Sequence, residues 1–206
     1  MTAHEPLLRT QLLMELKPTQ ITVGFHEVEE KRRHFRQLTD KDGGSFIGRH
    51  MIPAVLGPKK RHYIIDNHHL ACALHKEGVE SVLVTVTADL SALTKVSFWR
   101  FLDNRTWCHP YDAHGQRTDF DEIPGSIEGL KDDPYRSLAG DLRHAGGYAK
   151  DMTLFSEFLW ADFLRQRIKR KSIDKDYDAA LARAVRLARS DDAAFLPGWC
   201  GVDPIA

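Results

Sequence analysis

Four polar side chains, Asp66, Asn67, His68 and His69, stand in a row inside His62-Tyr-Ile-Ile-Asp-Asn-His-His-Leu-Ala-Cys-Ala-Leu-His75, between a strand-like and a helix-like run. A carboxylate, an amide and two imidazoles can ligate a cation, donate to an anion or move a proton near neutral pH. Three chemistries fit them. In the first, Asp66, His68 and His69 form a two-histidine, one-carboxylate set for a divalent metal, for which Mn, Fe, Co and Zn are all suitable. Successive helix residues point about 100° apart, so His68 and His69 share one ion only where the junction is not yet helical. A third ligand could otherwise come from His26, Glu27 or His50. In the second, the N–H groups of the helix start hold an anion to which the histidines donate. In the third, Asp66 or Asn67 caps the helix, one histidine is buried and the other is exposed.

Other spacings allow further chemistry. His68, Cys72 and His75 recur at four- and three-residue steps along one helix face and could clamp an ion, although Cys72 lies in an apolar stretch and reads as core. Tyr135, Arg136, Arg143, Tyr148, Lys150, Glu157 and Asp162 are polar residues in otherwise core-like segments. Arg136 could clamp a carboxylate, a phosphate or a planar heterocycle with its planar fork. Equally, Arg136–Glu157 or Arg165–Asp162 could be ion pairs tying helices together. Glu157 and Asp162 are five residues apart and do not share a helix face, which argues against a paired-carboxylate mechanism.

The elements that position these groups follow from periodicity. Residues 1–12 read as a loosely held terminus and Leu13 to Leu16 as a first strand ending at Pro18. Val28, Lys31, Phe35 and Leu38 recur at helical steps after Gly24, which predicts an amphipathic helix of about four turns with Glu27 and Lys31 spaced as an ion pair. Residues 39–49 form a glycine-rich loop whose Gly43-Gly44 fits no phosphate or dinucleotide fingerprint. The run from His50 to Leu56, the turn Gly57-Pro-Lys-Lys-Arg61 and Tyr63-Ile64-Ile65 read as a hairpin. A helix over His68–Lys76, stopped by Gly78, then leads into a long strand over Val79–Ala88, as a crossover onto the same sheet. From Ser91 the pattern is helical, with Phe98, Trp99 and Phe101 as core. Residues 104–134 form a long loop, either a functional cover or disordered. Pro134 opens a capped helix with Leu138 and Leu142 inward, and Gly146-Gly147 stops it. Leu154 to Arg170 and Tyr177 to Arg189 make two more helices, the first with Phe155, Phe158, Leu159 and Phe163 facing a core. The organisation expected is α+β: residues 1–90 as an α/β core and 91–206 as a helical extension packed on it in one continuous unit.

Bulk composition narrows the function classes. With 29 basic and 29 acidic residues the formal charge is zero, which does not favour a nucleic-acid partner. Cys72, Cys108 and Cys200 are too few and too scattered for a disulfide framework, so a reducing, cytoplasmic setting is expected. No apolar run is long enough for a membrane span or a secretion signal. Oligomeric state is not read from the chain.

The chain resembles the ParB-like nuclease family of the ParB/sulfiredoxin superfamily, in which a strand ends in an Asp-Gly-His-His-Arg type of motif and a helix follows. Here that motif is Asp66-Asn67-His68-His69, with Leu70 where the arginine usually stands. The resemblance continues through Gly24-Phe-His-Glu-Val-Glu-Glu-Lys31, His50-Met-Ile-Pro-Ala-Val-Leu-Gly-Pro58, Asp132-Asp-Pro-Tyr-Arg-Ser-Leu-Ala139, Gly146-Gly-Tyr-Ala-Lys150 and Phe155-Ser-Glu-Phe-Leu-Trp-Ala-Asp-Phe-Leu-Arg165. It implies a small mixed β-sheet with packed helices and a C-terminal helical layer, and a helix over the pocket carrying Lys31 as a cation for an anionic ligand. The expectation is therefore a metal-dependent enzyme acting on a small heterocyclic or nucleotide-like molecule. Lys31, Glu27 and His69 would be its catalytic groups, Arg136, Tyr148 and Asn67 its substrate contacts, and Asp66, His68 and His69 its metal ligands. The alternatives are a ParB-like nuclease or nucleotide-dependent DNA-binding protein, and a non-catalytic binding module.

Overall fold

The computed structural model describes residues 7–38 and 46–201. They divide into two compact units: one runs up to Val23 and resumes over Val28–Asp132, and the other joins Gly24–Glu27 to the chain from Asp133 onward. The last junction between the units falls at Asp132/Asp133. The architecture is α+β, with a small mixed sheet and packed helices.

The first unit holds a four-stranded sheet. Its strands are β1 (Leu7–Leu12), β3 (Ile52–Gly57), β4 (Arg61–Ile64) and β5 (Ser81–Asp89), in the order β1-β5-β3-β4. β1 runs antiparallel to β5, β5 parallel to β3, and β3 antiparallel to β4 as the expected hairpin. Alternation is clean on β5, where Val82, Val84 and Val86 point inward. It breaks on β3, where Ala54 and Val55 are both buried because the register shifts between them. The first strand lies earlier than expected: Leu7–Leu12 pair with β5, while Leu13–Glu15 form a 3-10 turn that seats Leu13 in the core. A short strand β2 (Thr22–Val23) pairs with β6 (Lys131–Asp132).

Helices also belong to this unit. Helix α1 (Phe25–Arg36) starts in the other unit and continues here. Helix α2 (His68–Lys76) leads from β4 at the sheet edge past β3 to β5, so β5 finds its parallel partner in β3 and not in the strand before the helix. Helix α3 (Lys95–Asn104) buries Phe98, Trp99 and Leu102, whereas Phe101 faces out. Of the expected 39–49 loop, residues 39–45 lie outside the described residues and residues 46–49 form a helical turn. Residues 105–130 are stitched to the 17–21 segment: the His109 N–H donates to the Thr19 carbonyl (2.8 Å) and the Lys131 N–H to that of Ile21 (3.0 Å).

The second unit is helical. Helix α4 (Pro134–His144) is capped as expected, with Asp133 accepting from the Tyr135 N–H (3.1 Å) and Gly146 ending the segment at φ +76. Helices α5 (Ser156–Arg167), α6 (Arg170–Lys175) and α7 (Tyr177–Ala188) follow, so the expected second helix stops short and restarts. Leu138, Leu142, Trp160, Phe163, Leu164, Ala180 and Ala184 form the core. On α5 Phe158 and Phe163 face inward as expected, whereas Leu159 is 44% exposed and Trp160 is fully buried in its stead. At the start of α1, Gly24 presses against the first turn of α4 so closely that any Cβ would collide with the Ser137 backbone and hydroxyl. The Ser137 hydroxyl in turn accepts from the Glu27 N–H (3.3 Å), supplying from α4 the cap that α1 lacks in its own sequence. Among the described residues no helix is long and apolar enough to cross a membrane.

In the first unit α1 and α2 are clamped by charge. Arg32 Nε and the Arg36 fork both donate to the Glu77 carboxylate at 2.6–2.7 Å, holding it well below the usual carboxylate range, at about 2. A depressed folded-state pKa contributes stability that is present above the ordinary range and lost as pH falls through the folded value. Glu77→Gln is expected to lower the unfolding midpoint at pH 7, and the gap to the wild type should close as pH falls from about 4.5 towards about 2. Melting curves across that interval check it, and a gap independent of pH would refute the clamp.

Candidate functional site

In the first unit β4 and the residues after it carry Asp66 and Asn67 to the start of α2. Asn67 adopts left-handed backbone (φ 61) and makes no side-chain cap. Its N–H donates to Asp66 Oδ1 (2.7 Å) and its side-chain amide to the Met51 carbonyl (3.2 Å), which fixes the turn against β3. His68 is 4% exposed, and its Nε2 accepts from the buried Thr19 N–H (3.1 Å). Thr19 Oγ1 donates to the Ile64 carbonyl (2.8 Å). A ring nitrogen that accepts from a backbone amide has no lone pair left for an ion, so the His68 proton sits on Nδ1.

The helix begins at His68 itself, so His68 and His69 diverge as helical neighbours do. Asp66, His68 and His69 do not bring three ligand atoms within 4.8 Å of one another, nor do His68, Cys72 and His75. The residues present therefore do not fit the expected three-ligand metal set, for the physical reason that His68 Nε2 is spent on Thr19. Burial raises the pKa of the Cys72 thiol, consistent with a core residue. His69 is buried in the first turn of α2, Lys31 is half-buried on α1, and His50 is exposed with its ring stacked on Phe46 at 4.0 Å.

The second unit gathers the other candidates. Arg136 is 4% exposed, and its guanidinium carbon lies 3.3 Å from the Phe158 ring centroid. Its Nε and Nη1 are buried with no hydrogen-bond partner. Burial lowers its pKa against the opposing charges of Glu157, Asp133 and Glu27. Of the two ion pairs the sequence allows, Arg165–Asp162 is made and Arg136–Glu157 is not: Glu157 pairs with Arg143, and Arg165 also reaches Asp133 (2.5 Å). Each of those carboxylates thus already has another arginine. Tyr148 donates to the Ala139 carbonyl (3.1 Å) and stacks on Trp160, and burial pushes its pKa up. Glu27 reaches Gly140 on α4. His26, named as an alternative ligand, lies 3.2 Å through Nδ1 from Asp141 Oδ2 and stacks on Tyr177, whose hydroxyl donates to the same oxygen (2.5 Å).

So Glu27, Arg136 and Tyr148 fall in one unit, and Lys31 and Asp66 to His69 in the other. Reading the sequence missed Thr19, whose role depends on a backbone N–H that no residue type reveals. It also missed Phe158 as the plate under Arg136, because a phenylalanine at helical spacing reads as core.

Residues 10–166 match the family described as "Putative ParB-like nuclease". The crystal structure of protein Atu1540 from Agrobacterium tumefaciens superposes with a TM-score of 0.92 and 52% sequence identity, covering 97% of this chain and 100% of that one. The C-terminally truncated chromosome-partitioning protein ParB from Caulobacter crescentus, complexed with CTP-gamma-S, superposes with a TM-score of 0.33 and 10% identity over 90% of this chain and 94% of that one, too weak a likeness to carry an argument. No curated protein matches the chain.

His68→Phe should leave the buried Thr19 N–H without its acceptor and cost about 1–3 kcal/mol. His68→Gln, which keeps an acceptor, should cost less. Urea unfolding of the two variants checks the order, and equal losses would show that His68 serves by volume alone.

Proposed function

Because the chain belongs to the ParB-like nuclease family, and because one of its units buries a guanidinium short of hydrogen-bond partners, we propose that the protein binds a small heterocyclic or nucleotide-like molecule at Arg136 and acts on it. The orphaned donors of Arg136 carry this reading. Burying a cation costs several kcal/mol, and each unsatisfied donor adds about 1–3 kcal/mol, so such a group is retained where something else meets it. Phe158 supports the planar face of the guanidinium and leaves its donor edges for the ligand. Glu27, the carboxylate contributed by the first turn of α1, would take a proton from the bound molecule. Tyr148 would contribute its ring more than its hydroxyl, which is held by Ala139. The junction from Asp66 to His69 would act as a rigid support. A metal there requires His68 to release Thr19, so no step is routed through one.

The family description favours a second reading, a nuclease or nucleotide-dependent DNA-binding protein. The basic stretch 165–171 gives it little: Arg165 joins Asp133 and Asp162, Arg167 lies on the Phe163 ring, and Arg170 pairs with Asp174.

The test is a thermal-shift and calorimetric screen of purine and pyrimidine bases, nucleosides, nucleotides and a single-stranded oligonucleotide. At least one base or nucleotide should raise the melting midpoint, and the shift should vanish in Arg136→Gln and shrink in Arg136→Lys. A shift unchanged in both variants, or no shift with any compound, would sink the proposal. Binding of the oligonucleotide alone, falling steeply with salt, would favour the second reading.

A further inference from the structure

The two edges of the four-stranded sheet end differently. At the β4 edge the chain beyond β1 returns to pair: the Lys17 N–H donates to the His62 carbonyl and the Ile64 N–H to the Lys17 carbonyl, both at 2.9 Å. At the other edge β1 pairs with β5 on one side, and no described residue pairs with its other side. An unpaired edge is a template for a further strand, and proteins usually blunt it with lysine, proline, a bulge or a very short strand. Leu7-Leu-Arg-Thr-Gln-Leu12 uses none of these and carries a single charge, at Arg9.

The groups presented at this edge follow from the ladder. The Leu13 N–H donates to the Glu80 carbonyl (2.9 Å), continuing the register of Leu12 with Ser81 and Gln11 with Val82. Bonded and non-bonded pairs alternate along an antiparallel ladder, so Arg9 and Gln11 turn their N–H and carbonyl groups to β5, whereas Leu8, Thr10 and Leu12 turn theirs away from it. The side chains of these three share the face of Thr85 and Leu83, opposite the buried valines of β5. Leu8 is 52% exposed there and Leu12 46%. The edge therefore combines unpaired backbone groups with two exposed leucines spaced evenly about Thr10.

We infer that β1 is an association surface for a second copy of this chain, the two β1 strands pairing antiparallel about a two-fold axis at Thr10. Such an interface is isologous, so each contact occurs twice. In this register Leu8 faces Leu12 of the second copy, Thr10 faces Thr10, and the outward N–H and carbonyl groups of all three meet their counterparts. On the opposite face Arg9 lies across from Gln11 of the second copy. Moving the axis to Arg9 would set two arginines directly opposite each other, a destabilising pair of like charges. The charge pattern thus selects the register in which the leucines cover one another and the two sheets become continuous. A six-residue pairing is small for an interface, so the dimer forms and dissociates with concentration.

Sedimentation equilibrium of the full chain over a range of concentrations tests this, under reducing conditions so that the exposed Cys200 cannot link copies. The wild type should pass from monomer to dimer as concentration rises. Thr10→Pro removes an N–H that β5 does not use, and should abolish the dimer with little change in melting midpoint. Leu8→Lys and Leu12→Glu, both at exposed positions, serve even where the proline variant fails to fold, and each should weaken association by about tenfold or more. An equimolar mixture of these two should associate more tightly than either alone, because the opposite charges then face each other across the pair. A monomer at every concentration, a dimer untouched by Thr10→Pro and Leu8→Lys, or a mixture no tighter than its components would each overturn the inference.

Discussion

Thr19 is the residue on which the first unit depends. Its N–H, hydroxyl and carbonyl each meet a different segment: His68 at the start of α2, Ile64 at the end of β4, and His109 in the long segment after α3. All three contacts lie in a region almost closed to water, where an unmet polar group is expensive and a met one fixes geometry. The strand-to-helix switch is thereby locked to two stretches far away in sequence. A histidine at such a switch looks like chemistry, but this one serves as a backbone acceptor.

Arg136 shows the opposite balance. Surrounding carboxylates exist, yet the ones whose pairs are defined are engaged by Arg143 and Arg165, so the third arginine keeps unmet donors inside the protein. Stacking on Phe158 offsets part of the cost of burial without using a single N–H. A purely structural arginine would be expected to reach one of those carboxylates with its fork. The arginines of one cluster thus differ: Arg143 and Arg165 fasten helices, and Arg136 lies over the Phe158 ring with its Nε and Nη1 unpartnered.

Local pattern revealed most of the elements. The span of α2, the hairpin, the capped start of α4 and its Leu138 and Leu142 stripe were all legible, because each is written in neighbouring residues: a β-branched run, a turn with Gly57-Pro58, an Asp before a Pro. What could not be read was set by pairing across the chain. β1 was displaced because Leu7–Leu12 have no strand signal apart from their match to β5. On α5 the inward turn of Phe158 and Phe163 was legible, but not the choice of Trp160 over Leu159, because both are large and apolar and only the packed partner decides between them. For the site, residue type drew attention to Asp66–His69, but residue type does not say that a distant amide occupies His68. Arg136 was singled out by type alone, but its unmet donors and its place on Phe158 are set by packing across the chain.

The sharing of α1 has a further consequence. Four residues near the amino end, Gly24–Glu27, belong with the chain after Asp133, and Gly24 tolerates no side chain there because Ser137 is pressed against it. The helical unit is therefore discontinuous in the gene's reading order. A fragment starting at Asp133 would miss the tetrapeptide that seats on α4, and with it Glu27. Recombination that exchanged the C-terminal half between relatives would have to bring a matching turn from the N-terminal half along, which ties the two stretches into one unit of inheritance.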